Sequence, residues 1–510
     1  MKYLISLLFI VLSLTAIGQG NSSNLDTFNL GITRLENGKL IFTLNGLNFL
    51  PVIMSCGINS TEDQIRKFRD DGFNIVYTSI DYPWIYSKDK DIKQFLDICN
   101  RLKMPVIIEL ASWDYWHNFL SENISCNMKM STGEYVRNYP DFLNPKTKEE
   151  YFKRFRVILE FLKPYYHSPI IAISIGAYDA YHIPDGEIHA DFVVPEHTKI
   201  GQTWVPYGEY VSEDFRSFLI REGLSLKDLG FSKWEDVYPP YDRENAKTEV
   251  HWRSWIYYRR EGYTLSWIKG IAEFVKGVAE LPVTMTLDLR PDLWEDWGTP
   301  GLSIADVFDF VIVYYYGLGP PEFGVIPRRL ERISTEYDHS NTPLVSLLEF
   351  SSAMGIPTRA EDYLLQSLPY VAGFQFGFFD KRGQGEPRYE AFAKTIAEIR
   401  EKYLWRIRDE KAILAILLSK KDIYISEDIS GILYKEKIPY DVIYDTKDIS
   451  YKVIYITSGQ FLLEENIQVR KALDDFVAQG GLVIDESRGN FLWDYLDKIM
   501  EIKEKEVTSQ

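Results

Sequence analysis

Cysteine is scarce in this chain. Cys56, Cys99 and Cys126 are the only three in 510 residues. Their number is odd and their spacing matches no metal site, so they are read as structural residues, and sequence assigns no pairing among them. Blocks of Lys and Arg are also missing. The formal charge of −17, from 57 basic and 74 acidic residues, argues against a nucleic-acid partner or an anionic membrane. Beyond the N-terminus no segment is apolar enough to cross a bilayer. There is no internal repeat at a solenoid period and no low-complexity tract. A serine nucleophile elbow and a Cys–His catalytic signature are both absent.

What is present begins with the first residues. One Lys precedes a short apolar run, and Ala16-Ile17-Gly18 puts small residues where a signal peptidase cuts. Residues 1–18 are read as a cleaved signal peptide, so the mature chain is expected to be exported, periplasmic or extracellular. No Cys follows the run, which argues against a lipid anchor there. Aromatic residues reach 15%, with 34 Tyr and 12 Trp. Ordinary core packing accounts for that number, and a sugar-binding cleft is the sharper alternative, because pyranose C–H faces stack on aromatic rings.

Between residues 40 and 400, short apolar runs alternate with helical patterns. Eight runs are predicted strands: Leu47–Ser55, Phe73–Ile80, Pro105–Leu110, Pro169–Gly176, Pro282–Leu287, Phe308–Tyr316, Pro343–Glu349 and Val371–Phe379. Near-continuous apolar strands are buried on both faces, as parallel sheets require. With helices such as Thr61–Asp71 and Lys148–Lys163 between them, they predict a (β/α)8 TIM barrel over residues 25–407. A long insertion at about 177–281 exceeds a simple connection and is expected to form a subdomain or lid. After residue 408 the strands Ala412–Leu418, Val442–Tyr444, Lys452–Thr457 and Leu482–Asp485 and the helix Glu465–Gln479 predict a smaller α/β domain, 408–495. No Gly-rich phosphate loop follows its first strand. The charged tail Met500–Gln510 is expected to fray.

Barrel enzymes work at the C-terminal ends of their strands, and acids and aromatics gather there. Asp81, Tyr82 and Trp84 follow strand 2. Strand 3 ends at Glu109 and runs into Trp113, Asp114, Tyr115, Trp116 and His117. Asp288, Asp292 and Trp294 follow strand 5, Tyr314–Tyr316 end strand 6, and Phe379 and Asp380 end strand 8. Glu349 is the strongest signal, closing the apolar run Pro343–Phe350. A carboxylate there is costly to bury without a role or a partner. Glycoside cleavage needs two carboxyl groups, and in retaining enzymes they lie ~5–5.5 Å apart. After strand 4 the nearest acid is Asp179, with Glu187 a further candidate and Ala180 a position from which an acid could be missing. A loop-capping role for Asp179 stands beside the catalytic one. His182, Glu187, His189, Asp191 and His197 share a loop, but their spacing matches no ligand pattern and no metal is expected. Trp113, Asp114, Trp116, Trp294, Tyr315 and Phe379 are candidate substrate-binding residues, and no organic cofactor is expected.

Two further stretches carry a family resemblance. Phe215–Leu219 through Leu224–Leu229 to Trp234 and Tyr238–Pro240 is similar to the segment between acid and strand 5 in family 42 β-galactosidases. Asp448–Tyr455 through Ala472–Gly481 resembles their flavodoxin-like second domain, which packs between subunits of trimers. The resemblance covers about residues 40–490, to clan A of the glycoside hydrolases. It implies a retaining hydrolase of β-linked glycosides acting by double displacement, with Glu349 as nucleophile, Asp179 as acid, Tyr315 beside the nucleophile, a glycoside or oligosaccharide as substrate, and a homotrimer or other homo-oligomer. The sequence departs from the pattern in three respects. It has no Asn-Glu after strand 4, no Arg ending strand 2, and no β-sandwich third domain is expected. A relative acting on mannosides fits as well as a galactosidase. A non-catalytic carbohydrate-binding barrel that has lost its acid is the alternative.

Overall fold

Eight apolar segments hydrogen-bond side by side, all parallel, into a closed barrel. The computed structural model describes residues 27–35, 39–111, 113–129, 133–175, 207–240, 243–288, 307–314, 342–350, 367–368, 370–378, 412–418, 427–443, 446, 449–457 and 467–509. A three-stranded antiparallel sheet leads in: β1 (Leu30–Arg34), β2 (Leu40–Leu44) and β3 (Leu47–Phe49). The barrel strands are β4 (Val52–Ser55), β5 (Ile75–Asp81), β6 (Val106–Ala111), β9 (Ile170–Ser174), β10 (Val283–Asp288), β11 (Phe310–Tyr314), β12 (Leu344–Phe350) and β13 (Gly373–Phe378). A two-stranded ribbon, β7 (Asn127–Lys129) and β8 (Tyr135–Pro140), stands between β6 and β9. All eight predicted strands are therefore found, with one correction. Leu47–Ser55 is two strands, because Pro51 has no N–H with which to continue the ladder of β3. β3 pairs with β2, whereas β4 enters the barrel between β13 and β5.

Local signals set where the helices begin. Thr61 and Gln64 form a reciprocal capping box ahead of α1 (Glu62–Asp70), satisfying two of the free N–H groups at its start. The next barrel helix is α2 (Asp89–Arg101), and α3 (Trp113–Glu122) follows β6 almost at once. Asn144 accepts from the Lys146 N–H at 3.0 Å to start α4 (Pro145–Leu162), where Pro145 needs no partner for the N–H it lacks. These helices bury Ile65, Phe68, Ile92, Phe95, Phe155 and Leu159 against the outer faces of the strands. Each fully buried side chain of this size contributes about 1.5–3 kcal/mol relative to exposure.

The insertion between β9 and β10 does not build a separate core over the part described. Val211, Phe215, Phe218 and Leu219 repeat at helical spacing along α5 (Glu209–Arg221) and join the core of the barrel. Trp255 of α6 (Glu249–Tyr257) and Trp267 of α7 (Leu265–Ala279) do the same. A π-helical stretch, Tyr258–Thr264, joins those two helices.

The second sheet contains β14 (Leu414–Leu417), β15 (Tyr440–Ile443), β16 (Val453–Ile456) and β17 (Leu482–Asp485), all parallel, in the order β15-β14-β16-β17. This is the order of the flavodoxin-like doubly wound fold over its first four strands. Helices α8 (Glu427–Lys435) and α9 (Ile467–Ala478) accompany it. The tail corrects the expectation of fraying: α10 (Leu496–Ser509) is helical and places Ile499, Met500 and Ile502 on the core of this sheet, past residue 495. Its many charges hid an apolar face of helical period.

Candidate functional site

Because the barrel strands are parallel, their C-terminal residues gather at one mouth: Ser55, Asp81, Ala111, Ser174, Asp288, Tyr314, Phe350 and Phe378. The pairing registers place the interior positions in layers. An eight-stranded barrel of this kind rises by about one residue per strand, and alternate strands supply the side chains of one layer. Ile53, Ile107, Thr284 and Val345 share a lower layer. Tyr77, Ser174, Ile312 and Gln375 come next, then Ser55, Glu109, Thr286 and Leu347. The positions of Ser79, Tyr314 and Gly377 follow, and those of Asp288 and Glu349 stand at the level above these. The far end is shut by the first sheet, where Phe42 meets Phe310 edge-on at 5.2 Å.

Polarity rises toward the mouth. Glu109 is a buried carboxylate that accepts from Ser79 Oγ at 2.7 Å. Ser79 and Ser174 are its neighbours in register on either side. The Tyr77 hydroxyl donates to Ser174 Oγ at 3.1 Å. Burial pushes the Tyr77 phenol well above its usual range, and the charge on Glu109 adds to this, with Thr286 and Glu109 also bonded to that hydroxyl. Tyr77 therefore stays protonated and remains a donor. Across the barrel Gln375 Nε2 donates to Ser55 Oγ at 3.0 Å. Asp81 is buried at the end of β5, and its Oδ1 accepts from the Tyr82 N–H at 2.7 Å.

Glu349 lies on β12 opposite Gly377 of β13. It stands two residues beyond Leu347, near the C-terminal end of β12. Trp113, Asp114 and Trp116 fall in the first turns of α3, immediately beyond β6. Asp179, Ala180, Glu187, Trp294, Tyr315 and Phe379 lie outside the described residues, as do the loop His182–His197 and residues 1–18. Among the described residues no group of His, Cys, Asp or Glu could hold a metal ion, and no helix is long and apolar enough to cross a membrane. The three cysteines are free thiols.

Barrel, lead-in sheet and second parallel sheet together have solved counterparts. The fold is the one found in family 42 β-galactosidases. The crystal structure of the β-galactosidase from the psychrophilic Marinomonas ef1 matches with a TM-score of 0.60 at 11% identity, over 86% of this chain and 75% of that one. A family 42 β-galactosidase from G. stearothermophilus matches with a TM-score of 0.60 at 14% identity, over 91% of this chain and 75% of that one. At these identities the likeness is one of fold. No protein family matches the sequence, and no curated protein matches it significantly.

Tyr77 and Gln375 were not singled out by sequence, and Glu109 was noted only as the acid that ends strand 3. The signal was there in part, because Glu109 is a lone charge within the apolar run Val106–Ala111. Its importance lies in the register, which sequence does not print.

Proposed function

We propose that the chain is an exported glycoside hydrolase of clan A that cleaves β-linked glycosides with retention. The observation that carries this reading is a carboxylate, Glu349, at the end of the seventh barrel strand. It stands in a fold shared with β-galactosidases and above a polar interior layer. Its carboxylate attacks the anomeric carbon while an acid after the fourth strand, Asp179 by default, protonates the departing oxygen. The glycosidic C–O bond breaks and a glycosyl-enzyme ester forms. The same acid, now a base, removes a proton from water, which displaces Glu349 and restores it. A homo-oligomer assembled through the second domain belongs to this reading.

The missing Asn-Glu after strand 4 favours a second reading, a barrel that binds carbohydrate without cleaving it. One set of rates separates the two. Nitrophenyl β-glycosides are presented to the chain and to Glu349→Ala, Asp179→Ala and Ala180→Glu. The hydrolase reading expects turnover that Glu349→Ala abolishes, with azide restoring it as a glycosyl azide. Turnover lost in Asp179→Ala identifies the acid. Sugar binding without turnover, in the chain and in Ala180→Glu alike, overturns the hydrolase reading.

A further inference from the structure

Two aromatic rings of the second domain belong to none of the hydrophobic cores. They sit on the turn that follows β17. That strand ends at Asp485, and a 3-10 turn, Leu492–Tyr495, leads on into α10. Leu492 is fully buried in the core of the second sheet. Phe491 and Trp493 flank it and turn outward, 36% and 49% exposed. They stack on each other, with ring centroids 4.8 Å apart and planes within 4°. The turn is tied down on both sides of the pair. The Asn490 N–H donates to the Asp485 carbonyl at 3.2 Å and the Asp494 N–H to that of Phe491 at 3.1 Å. The Tyr495 hydroxyl donates to Asn490 Oδ1 at 3.1 Å.

Single exposed apolar side chains are ordinary. A parallel pair is a flat surface set in advance, and its size decides what fits it. At these exposures the two rings offer on the order of 200 Å². A stable protein interface takes about 800 Å² from each partner, so the patch is too small to seat a second copy. It matches the apolar face of a hexose ring. Exposed polar side chains on the same turn, Arg488 and Asp494, can bond to hydroxyl groups at the edge of such a ring. From Asp485 to Lys498 acids outnumber bases, which disfavours an anionic polymer. The turn also stands at the carboxyl end of a parallel strand, the end at which open α/β sheets take their ligands.

We infer that Phe491 and Trp493 form a binding platform for a neutral polysaccharide on the second domain. The free face of the Trp493 indole, the more exposed of the two rings, carries a hexose ring. Phe491 lies against the other face and keeps the indole flat. The platform holds a polymer without cleaving it. It goes beyond the glycosidase reading and does not depend on it.

The test is affinity electrophoresis of the full chain in native gels cast with soluble galactan, glucomannan or mixed-linkage β-glucan. Every protein carries Glu349→Ala, so that no probe is degraded during the run. At least one glycan should retard the chain. Adding Trp493→Ala should raise the Kd for that glycan on the order of 10-fold or more. Adding Trp493→Tyr, which keeps a flat ring, should raise it by no more than about 3-fold. Because Trp493 is exposed and Leu492 keeps its place in the core, sedimentation velocity should show the same assembly for all three proteins. Retardation by none of the glycans overturns the inference. So does equal retardation with and without Trp493→Ala, which puts the glycan elsewhere on the chain. Loss of assembly in Trp493→Ala with retardation unchanged makes the rings a contact between copies and overturns it as well. Retardation that depends on Trp493 upholds the platform even where the chain turns over no nitrophenyl glycoside, so failure of the hydrolase reading is told apart from failure of this one.

Discussion

Replacing Tyr77 with Phe removes one hydroxyl from a buried layer and nothing else. That hydroxyl donates to Ser174 at 3.1 Å and is also bonded to Thr286 and Glu109. A neutral hydrogen bond is worth about 0.5–1.5 kcal/mol net, and one to a charged group about 1.5–3 kcal/mol. Tyr77→Phe should therefore destabilise the barrel by about 1–3 kcal/mol, because it removes a buried hydroxyl that bonds to more than one neighbour. Ser174→Ala breaks only the neutral bond and should cost about 0.5–1.5 kcal/mol. The assay is urea unfolding followed by tryptophan fluorescence, with Trp255 and Trp267 buried in the barrel core as reporters. The midpoint should fall further for Tyr77→Phe than for Ser174→Ala, with the slope unchanged. The double variant should cost less than the sum, because both changes break one shared bond. If Tyr77→Phe stayed within about 0.5 kcal/mol of the parent, the reasoning that the buried layer depends on this hydroxyl would be refuted.

Other measurements probe different parts of the chain. His251 is held neutral: Nε2 donates to the Tyr238 carbonyl at 2.8 Å and Nδ1 accepts from the Lys247 N–H at 3.2 Å. Burial keeps it below its ordinary value of 6.5, against the pull of the Tyr238 carbonyl. The unfolded chain takes up a proton as pH falls through 6.5 and the folded chain resists, so stability drops below that pH. Unfolding free energies at pH 5 and pH 8 should differ less in His251→Gln; an equal difference would count against this role. Gly208→Ala would put a Cβ 2.4 Å from Oδ2 of buried Asp141, and should cost about 1–3 kcal/mol by overpacking. Gly270→Ala, in α7 with nothing within 4 Å of the new atom, should instead raise stability by about 0.5–1 kcal/mol. A thermal melt that ranks these two the other way would contradict the packing described. Burial pushes the Cys56 thiol up to about 12 and raises that of Cys99 well above its usual range, and Cys126 is buried. At pH 8 a thiol reagent should find none of the three in the native chain and all three in denaturant; fewer than three in denaturant would mean a disulfide.

The barrel was legible because its signals are local and repeated. Apolar runs such as Val345–Leu348 need no knowledge of their neighbours to be read as buried strands, and the helices between them carry their own caps at Thr61 and Asn144. The reading failed where one residue changed the meaning of a run. Pro51 splits Leu47–Ser55 between two sheets. In the tail, apolar Ile499 and Ile502 recur at helical spacing among seven charged neighbours from Asp497 to Glu506. Charge content suggested a loose end, yet the three-residue spacing decided the outcome, because a helix needs only one apolar stripe to dock.

The site was legible only along single strands. Glu349 could be found because it ends its own apolar run, two residues beyond Leu347. Glu109 is likewise a lone charge in an apolar run, and by that test alone it is an equal candidate. What separates them is height. Glu349 falls at the level of Asp288, at the mouth, whereas Glu109 shares a layer with Ser55 and Thr286 drawn from strands far away in sequence. Height depends on the stagger of all eight strands, a property of the closed barrel that no one strand encodes. The same stagger brings Ser79 and Tyr77 to Glu109, so a carboxylate that sequence presents as an isolated charge is, in the fold, hydrogen-bonded from β5.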